Sequence, residues 1–176
     1  MSLMIGIDAG FVATGWVVAD GRRIIDAGVI RTERQARKTA VRVADDDAER
    51  CAILARELRG VLDEHAPAGA VVELPTGGAQ GARAIRTMGM ATAVVVAVLE
   101  LSFLPAEWVT PQMVKKASAG HKGASKEDVA AGVLRAFEWP ELKLPKGQLE
   151  HVYDAAGCLL AAENGTLMRV LAKEVA

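Results

Sequence analysis

The feature that most constrains this chain is a change of hydrophobic period after its first thirty residues or so. Before it, apolar residues alternate; after it, they recur at helical spacing. Leu3, Ile5 and Ile7 share one parity, and Met4, Gly6 and Asp8 the other, which is the repeat of a strand. TGWVVA (14–19) reads as a second strand, and Asp20-Gly21 is a hairpin signal. Residues 24–30 complete a three-strand antiparallel meander.

From there helix and strand patterns alternate. Asp46 or Asp47 can cap a helix running to about His65, with Cys51, Leu54, Leu58, Val61 and Leu62 on one face and Pro67 and Gly69 ending it. AVVEL (70–74) is a short, nearly continuous apolar run, the mark of a buried central strand. A helix is expected over 82–101 and a strand over 107–109. Such alternation implies parallel crossovers, so the chain is an α/β domain. Pro111 suits the first turn of a short helix. Ser125 caps another, with Glu127 and Asp128 in its first turn, running to Phe137. WPELKLPKGQ (139–148) reads as a loop. A last long helix is expected from Leu149 or Glu150, turning Ala155, Cys158, Leu159 and Ala162 inward, with Gly165 breaking it before a tail of about 164–176.

The 176 residues suit one domain, 1–176, and 51% hydrophobic against 24% charged residues excludes a disordered chain. Only 4% are aromatic, so the core must be Ala, Val, Leu and Ile. Lys plus Arg number 21 and Asp plus Glu 22, so affinity for nucleic acid must come from a local patch. The two cysteines, Cys51 and Cys158, have no companion at zinc-finger spacing, and a reduced, cytoplasmic compartment is expected. MSLMIGIDAG has no basic region or signal-peptide core. The apolar stretch 88–104 is shorter than the ~20 residues of a membrane span. Because it also contains Glu100, it is expected as a buried or subunit-interface helix, with no membrane partner.

Four residues could carry chemistry. Asp8 ends the first strand on the face opposite Ile5 and Ile7, and Glu73 sits on the buried strand. A carboxylate there is costly unless paired or bound to a metal. His151 and Asp154, three apart at the expected start of an apolar helix, share one face. Three carboxylates and an imidazole from separate segments suit hard divalent cations, Mg²⁺ or Mn²⁺. Two such ions about 3.5–4 Å apart can activate water and stabilise the leaving oxygen of a phosphodiester. Taken singly, Asp8 could start a turn, Glu73 could pair with a buried arginine, His151 could be a surface histidine and Asp154 a helix-start carboxylate.

At this point the sequence resembles the RuvC family of Holliday-junction resolvases, in the RNase H-like superfamily. Ile5-Gly6-Ile7-Asp8-Ala9-Gly10 with Thr14-Gly15-Trp16 is similar to its opening strand and hairpin, and Val72-Glu73 to its central-strand glutamate. Met88-Gly89-Met90-Ala91 opens a similar long helix. Pro111-Gln112-Met113-Val114-Lys115 and Gly120 through Ala124-Ser125-Lys126-Glu127-Asp128-Val129 resemble its basic segment. His151-Val152-Tyr153-Asp154-Ala155-Ala156 resembles its closing motif, and the ordered set spans residues 3–163. Ala9 stands where the family has proline, and Lys122 where it has a second glycine.

The resemblance implies an RNase H-like fold: a mixed five-stranded sheet, antiparallel meander plus two parallel strands, flanked by helices. It implies that Asp8, Glu73 and Asp154 hold two Mg²⁺ or Mn²⁺ ions with His151 as fourth member, in a homodimer that nicks four-way DNA junctions. Lys126, and with it Lys115, would face the scissile phosphate. Arg83 and Arg86, after the glycine-rich stretch 77–81, together with Lys115, Lys116, Lys122 and Lys126, would form a basic DNA-binding rim. Two other classes stay open here. One is a non-catalytic RNase H-like DNA-binding protein. The other is a sugar-kinase or actin-like ATPase-type phosphate-binding domain, whose opening IGIDAG…TG also resembles, although 176 residues hardly supply its two domains.

Overall fold

The computed structural model describes residues 2–34, 42–75 and 81–174. Its order is β1 (Met4–Asp8), β2 (Ala13–Asp20), β3 (Arg23–Arg31), α1 (Val43–His65), β4 (Gly69–Glu73), α2 (Ala82–Leu101), β5 (Ala106–Val109), α3 (Pro111–Ala119), α4 (Lys126–Ala136), α5 (Lys146–Ala161) and α6 (Thr166–Glu174). The strands form one five-stranded sheet in the order β3-β2-β1-β4-β5. β1, β2 and β3 pair antiparallel, while β4 and β5 add in parallel. This is the RNase H-like α/β architecture.

Strand parity sorts the sheet into two cores. Ile5, Ile7, Val18 and Val72 face α1 and α2, against Leu54, Leu58, Val95 and Leu99. Met4, Val17 and Val71 face the other side, against Val114, Val129, Val152, Ala155 and Leu159. Asp8 shares parity with Met4, and Glu73 with Val71, so both acidic strand ends belong to the α5 side.

Several boundaries differ from the sequence expectation. The hairpin turn is Gly21-Arg22, one residue later, because Asp20 pairs with Arg23; Gly21 takes the positive φ of 59°. α1 starts at Val43, so Asp46 and Asp47 lie within the helix, where carboxylates favour the positive helix end. α5 starts at Lys146, directly after Pro145, whose φ of −55° leads into a helix. Lys146, Gly147 and Gln148 are therefore helical, and His151 and Asp154 sit in the second and third turns. The tail after Gly165 is α6, whose Leu167 N–H donates to Glu107 at 3.0 Å while Leu167, Met168 and Leu171 join the core. Thr110 caps α3 with Pro111 behind it, and Ser125 and Asp128 form a capping box on α4.

α2 spans the predicted range, yet much of its apolar surface faces outward. Ala91, Val95, Val98 and Leu99 are buried, whereas Ile85, Val96 and Leu101 are exposed. By length and composition it is the one described helix that could cross a membrane, which corrects the expectation that its apolar stretch falls short. The helix gains its length from residues 82–87, which include Arg83 and Arg86. Its buried side is the roof of the α1–α2 core.

Candidate metal centre and nucleic-acid face

Asp8 and Glu73 are brought together by backbone register. β1 and β4 run parallel, and Asp8 stands opposite Glu73 at their ends. Neighbouring strands lie ~4.8 Å apart, so the two carboxylates share one rim. α5 completes the group by lying directly on the sheet. A Cβ on Gly15 would come 2.1 Å from the His151 carbonyl oxygen, and one on Gly6 2.2 Å from that of Ala155. Only glycine on both strands permits that approach. It delivers His151 Nδ1 to 3.1 Å from Asp8 Oδ2.

The electrostatics record the same convergence. Burial pushes the Glu73 carboxyl up to about 8, with the negative charges of Asp8 and Asp154 adding to it. Asp154 rises to about 6, first through burial and then through Asp8, against the pull of Lys126, His151 and Lys115. Beneath them the fully buried Cys158 thiol is raised well above its ordinary range by burial and by all three carboxylates. Its Sγ contacts the Asp154 and Ile7 carbonyl oxygens at 3.3 and 3.6 Å.

Among the described residues neither Glu73 nor Asp154 forms an ion pair, and no arginine enters the group. The pairing of Glu73 with a buried arginine, one simpler reading of the sequence, is therefore not what the fold contains. No three acidic or imidazole side chains among the described residues already stand at ion-holding distance. The fit to a cation rests on donor chemistry and charge: hard oxygen donors, one imidazole, and a half-buried negative excess that no arginine among the described residues pairs with.

The basic residues divide. Lys115 on α3 and Lys126 at the start of α4 act electrostatically on both Glu73 and Asp154, so these two belong to the site. Lys126 is ion-paired with Glu150, one turn before Asp154 on α5. Lys116 and Lys122 are exposed on α3 and the loop after it, and neither forms an ion pair among the described residues. Arg83 and Arg86 are not free rim cations: both pair with Asp47, whose side chain is 2% exposed, and so fasten the start of α2 to α1. Residues 77–80 of the glycine-rich stretch lie outside the described residues. Trp16, Trp108 and Trp139 pack against the cores, Trp139 edge-on to Tyr153.

Sequence reasoning missed Asp47 and Glu150. Glu150 stood four residues before Asp154, a helical-face spacing that carried a signal. Asp47 gave none, because its arginine partners lie 36 and 39 positions away.

A family model, that of crossover junction endodeoxyribonuclease RuvC, matches residues 4–156. The chain belongs to the RuvC family. The RuvC of Roseiflexus sp. (strain RS-1) is 31% identical over 145 residues, covering 80% of each chain. That of Nitratidesulfovibrio vulgaris (strain Hildenborough) is 34% identical over 149 residues, 82% of this chain and 83% of the relative. Among solved structures, T. thermophilus RuvC in complex with Holliday junction substrate superposes with a TM-score of 0.76 at 24% identity, over 96% of this chain and 97% of that one. A yeast mitochondrial Holliday junction resolvase gives 0.64 at 12% identity, over 98% and 84%. These structures bear out the fold. The RuvC match also displaces the sugar-kinase or ATPase alternative, since it runs from β1 through the Asp154 motif.

Proposed function

We propose that this RuvC-family chain is a divalent-metal-dependent, structure-selective endodeoxyribonuclease that resolves four-way DNA junctions by phosphodiester hydrolysis. The curated relatives are named crossover junction endodeoxyribonuclease, and one solved relative is in complex with Holliday junction substrate. The observation that carries the reading onto this chain is the half-buried trio Asp8, Glu73 and Asp154: the Asp8 charge helps to raise the other two carboxyls, Asp154 adds to the rise of Glu73, and no arginine among the described residues pairs with any of them.

In this reading Asp8, Glu73, Asp154 and His151 hold Mg²⁺ or Mn²⁺. Two bound ions supply an activated water and stabilisation of the leaving oxygen. The chain's own residues do the rest. The Asp8 carboxylate fixes the His151 ring through Nδ1, leaving Nε2 free to act as a ligand. Lys126 and Lys115 bring positive charge to the scissile phosphate. Lys116 and Lys122 extend the basic rim along α3 and its loop, and the exposed edges of Arg83 and Arg86 extend it at α2. The outward apolar face of α2 that carries Ile85 and Val96 joins two copies, setting two sites on two strands, as paired nicking requires. A reducing, cytoplasmic location is part of this reading, and the two free cysteines, Cys51 and Cys158, support it.

The test is incubation of a synthetic four-way junction and a linear duplex with Mn²⁺ or Mg²⁺, using wild type and Asp154→Asn. Metal-dependent nicking of the junction by wild type alone is expected. Junction binding without nicking under either ion would instead favour a non-catalytic binding protein.

A further inference from the structure

We propose that Glu150 is a positioning residue, whose carboxylate holds the Lys126 ammonium across the mouth of the carboxylate cleft where the scissile phosphate is received. This rests on the nuclease reading and adds a residue to it.

Lys126 is the first residue of α4, behind the Ser125 cap. A cation there opposes the partial positive charge of the helix start. Its side chain is 63% exposed, and a free lysine of that exposure would sample many rotamers. The adjacent carboxylates do not restrain it. Asp128 accepts the Ser125 N–H at 2.9 Å, and Glu127 is held by its own backbone N–H and the Ser125 hydroxyl. The partner is Glu150, from the packed neighbour α5, next to His151 and one turn before Asp154. The pair therefore bridges two helices at the site's edge, and from it the ammonium reaches both Glu73 and Asp154. Lys115 has the same electrostatic reach but no such tether among the described residues. An ammonium has three donors, so one contact to Glu150 leaves others for a phosphate oxygen. An exposed pair adds little stability, so the role should show in rate rather than in melting temperature.

The experiment is single-turnover cleavage of a four-way junction by wild type, Glu150→Gln, Lys126→Gln and the double variant. Glu150→Gln should slow cleavage about 5–20-fold, as loss of alignment does, with junction Kd and melting temperature near wild type. In the Lys126→Gln background it should cost nothing further, and the exchanged pair Lys126→Glu/Glu150→Lys should recover part of the loss of Lys126→Glu alone. Glu150→Gln cleaving as fast as wild type, additive losses, or weakened Mn²⁺ binding by Glu150→Gln in calorimetry would each overturn the proposal. If wild type itself cleaves nothing, the nuclease reading fails, and nitrogen NMR of the lysine side chains still decides the tether. A slowly exchanging Lys126 ammonium signal lost in Glu150→Gln supports it; identical spectra sink it.

Discussion

His151 and Asp8 meet at 3.1 Å from opposite ends of the chain, and the meeting depends on two glycines rather than on either residue. α5 lies so low on β1 and β2 that the space a methyl group would need at Gly15 is filled by the His151 backbone. Gly15→Ala should therefore lift α5 at this point. Overpacking of this kind costs about 1–3 kcal/mol, read by urea unfolding. Junction nicking should fall further than stability does. Gly60→Ala, where a Cβ meets nothing within 4 Å, should be neutral or stabilising.

The raised acids set a pH dependence with a definite sign. Folded Glu73 keeps its proton up to about 8, against an ordinary 4.5, and Asp154 up to about 6, against 3.8. The folded chain thus binds protons that the unfolded chain has released, so without metal its stability should fall as pH rises from about 4 to 8. Thermal unfolding in chelator at pH 5, 7 and 9 should show the decline, and Glu73→Gln should flatten it. Added Mg²⁺ should restore stability most at the alkaline end, where the carboxylates are charged.

Asp8→Asn removes the charge common to both shifts. Nicking should drop by more than the ~10–100-fold that loss of a mere supporting partner costs a metal site. In chelator, the variant should melt higher than wild type at pH 8, because the repulsion on Glu73 and Asp154 is relieved. A lower melting temperature would mean that the three acids do not burden the fold.

The Asp47 clasp predicts an asymmetry. Its carboxylate is 2% exposed, while Arg83 and Arg86 are half exposed. Removing Arg83 and Arg86 together strands a buried charge, and breaking a buried pair in this way costs about 3–5 kcal/mol. Asp47→Asn leaves only solvated arginines, so it should cost less. Chemical unfolding of the two variants checks the order.

On α2, Val96→Glu should leave the monomer fold intact but shift the mass measured by light scattering to that of a single chain. A two-fold interface places each substitution in the contact twice, which magnifies the effect.

Much of this architecture was legible in the residues. The alternation in 3–8 gave β1 and put Asp8 on the correct face; AVVEL gave β4 and Glu73; the Ala/Val run gave both ends of α2. Asp8, Glu73, His151 and Asp154 were legible as a set because each sits badly where its element alone would put it. What stayed hidden depends on distance rather than pattern. The fate of Arg83 and Arg86 turned on a carboxylate on another helix. The early start of α5 was masked because Pro145 reads as a loop residue until the turns after it close. The tail became α6 through Glu107, a residue from β5.

Cys158 offers a use of its own. With its thiol sealed under α5 and its proton held tightly, it should ignore alkylating reagents that reach the half-exposed Cys51. Any reagent that does modify it has found the helix raised from the sheet. The chain thus carries an internal gauge of how often the floor of its acidic cleft opens.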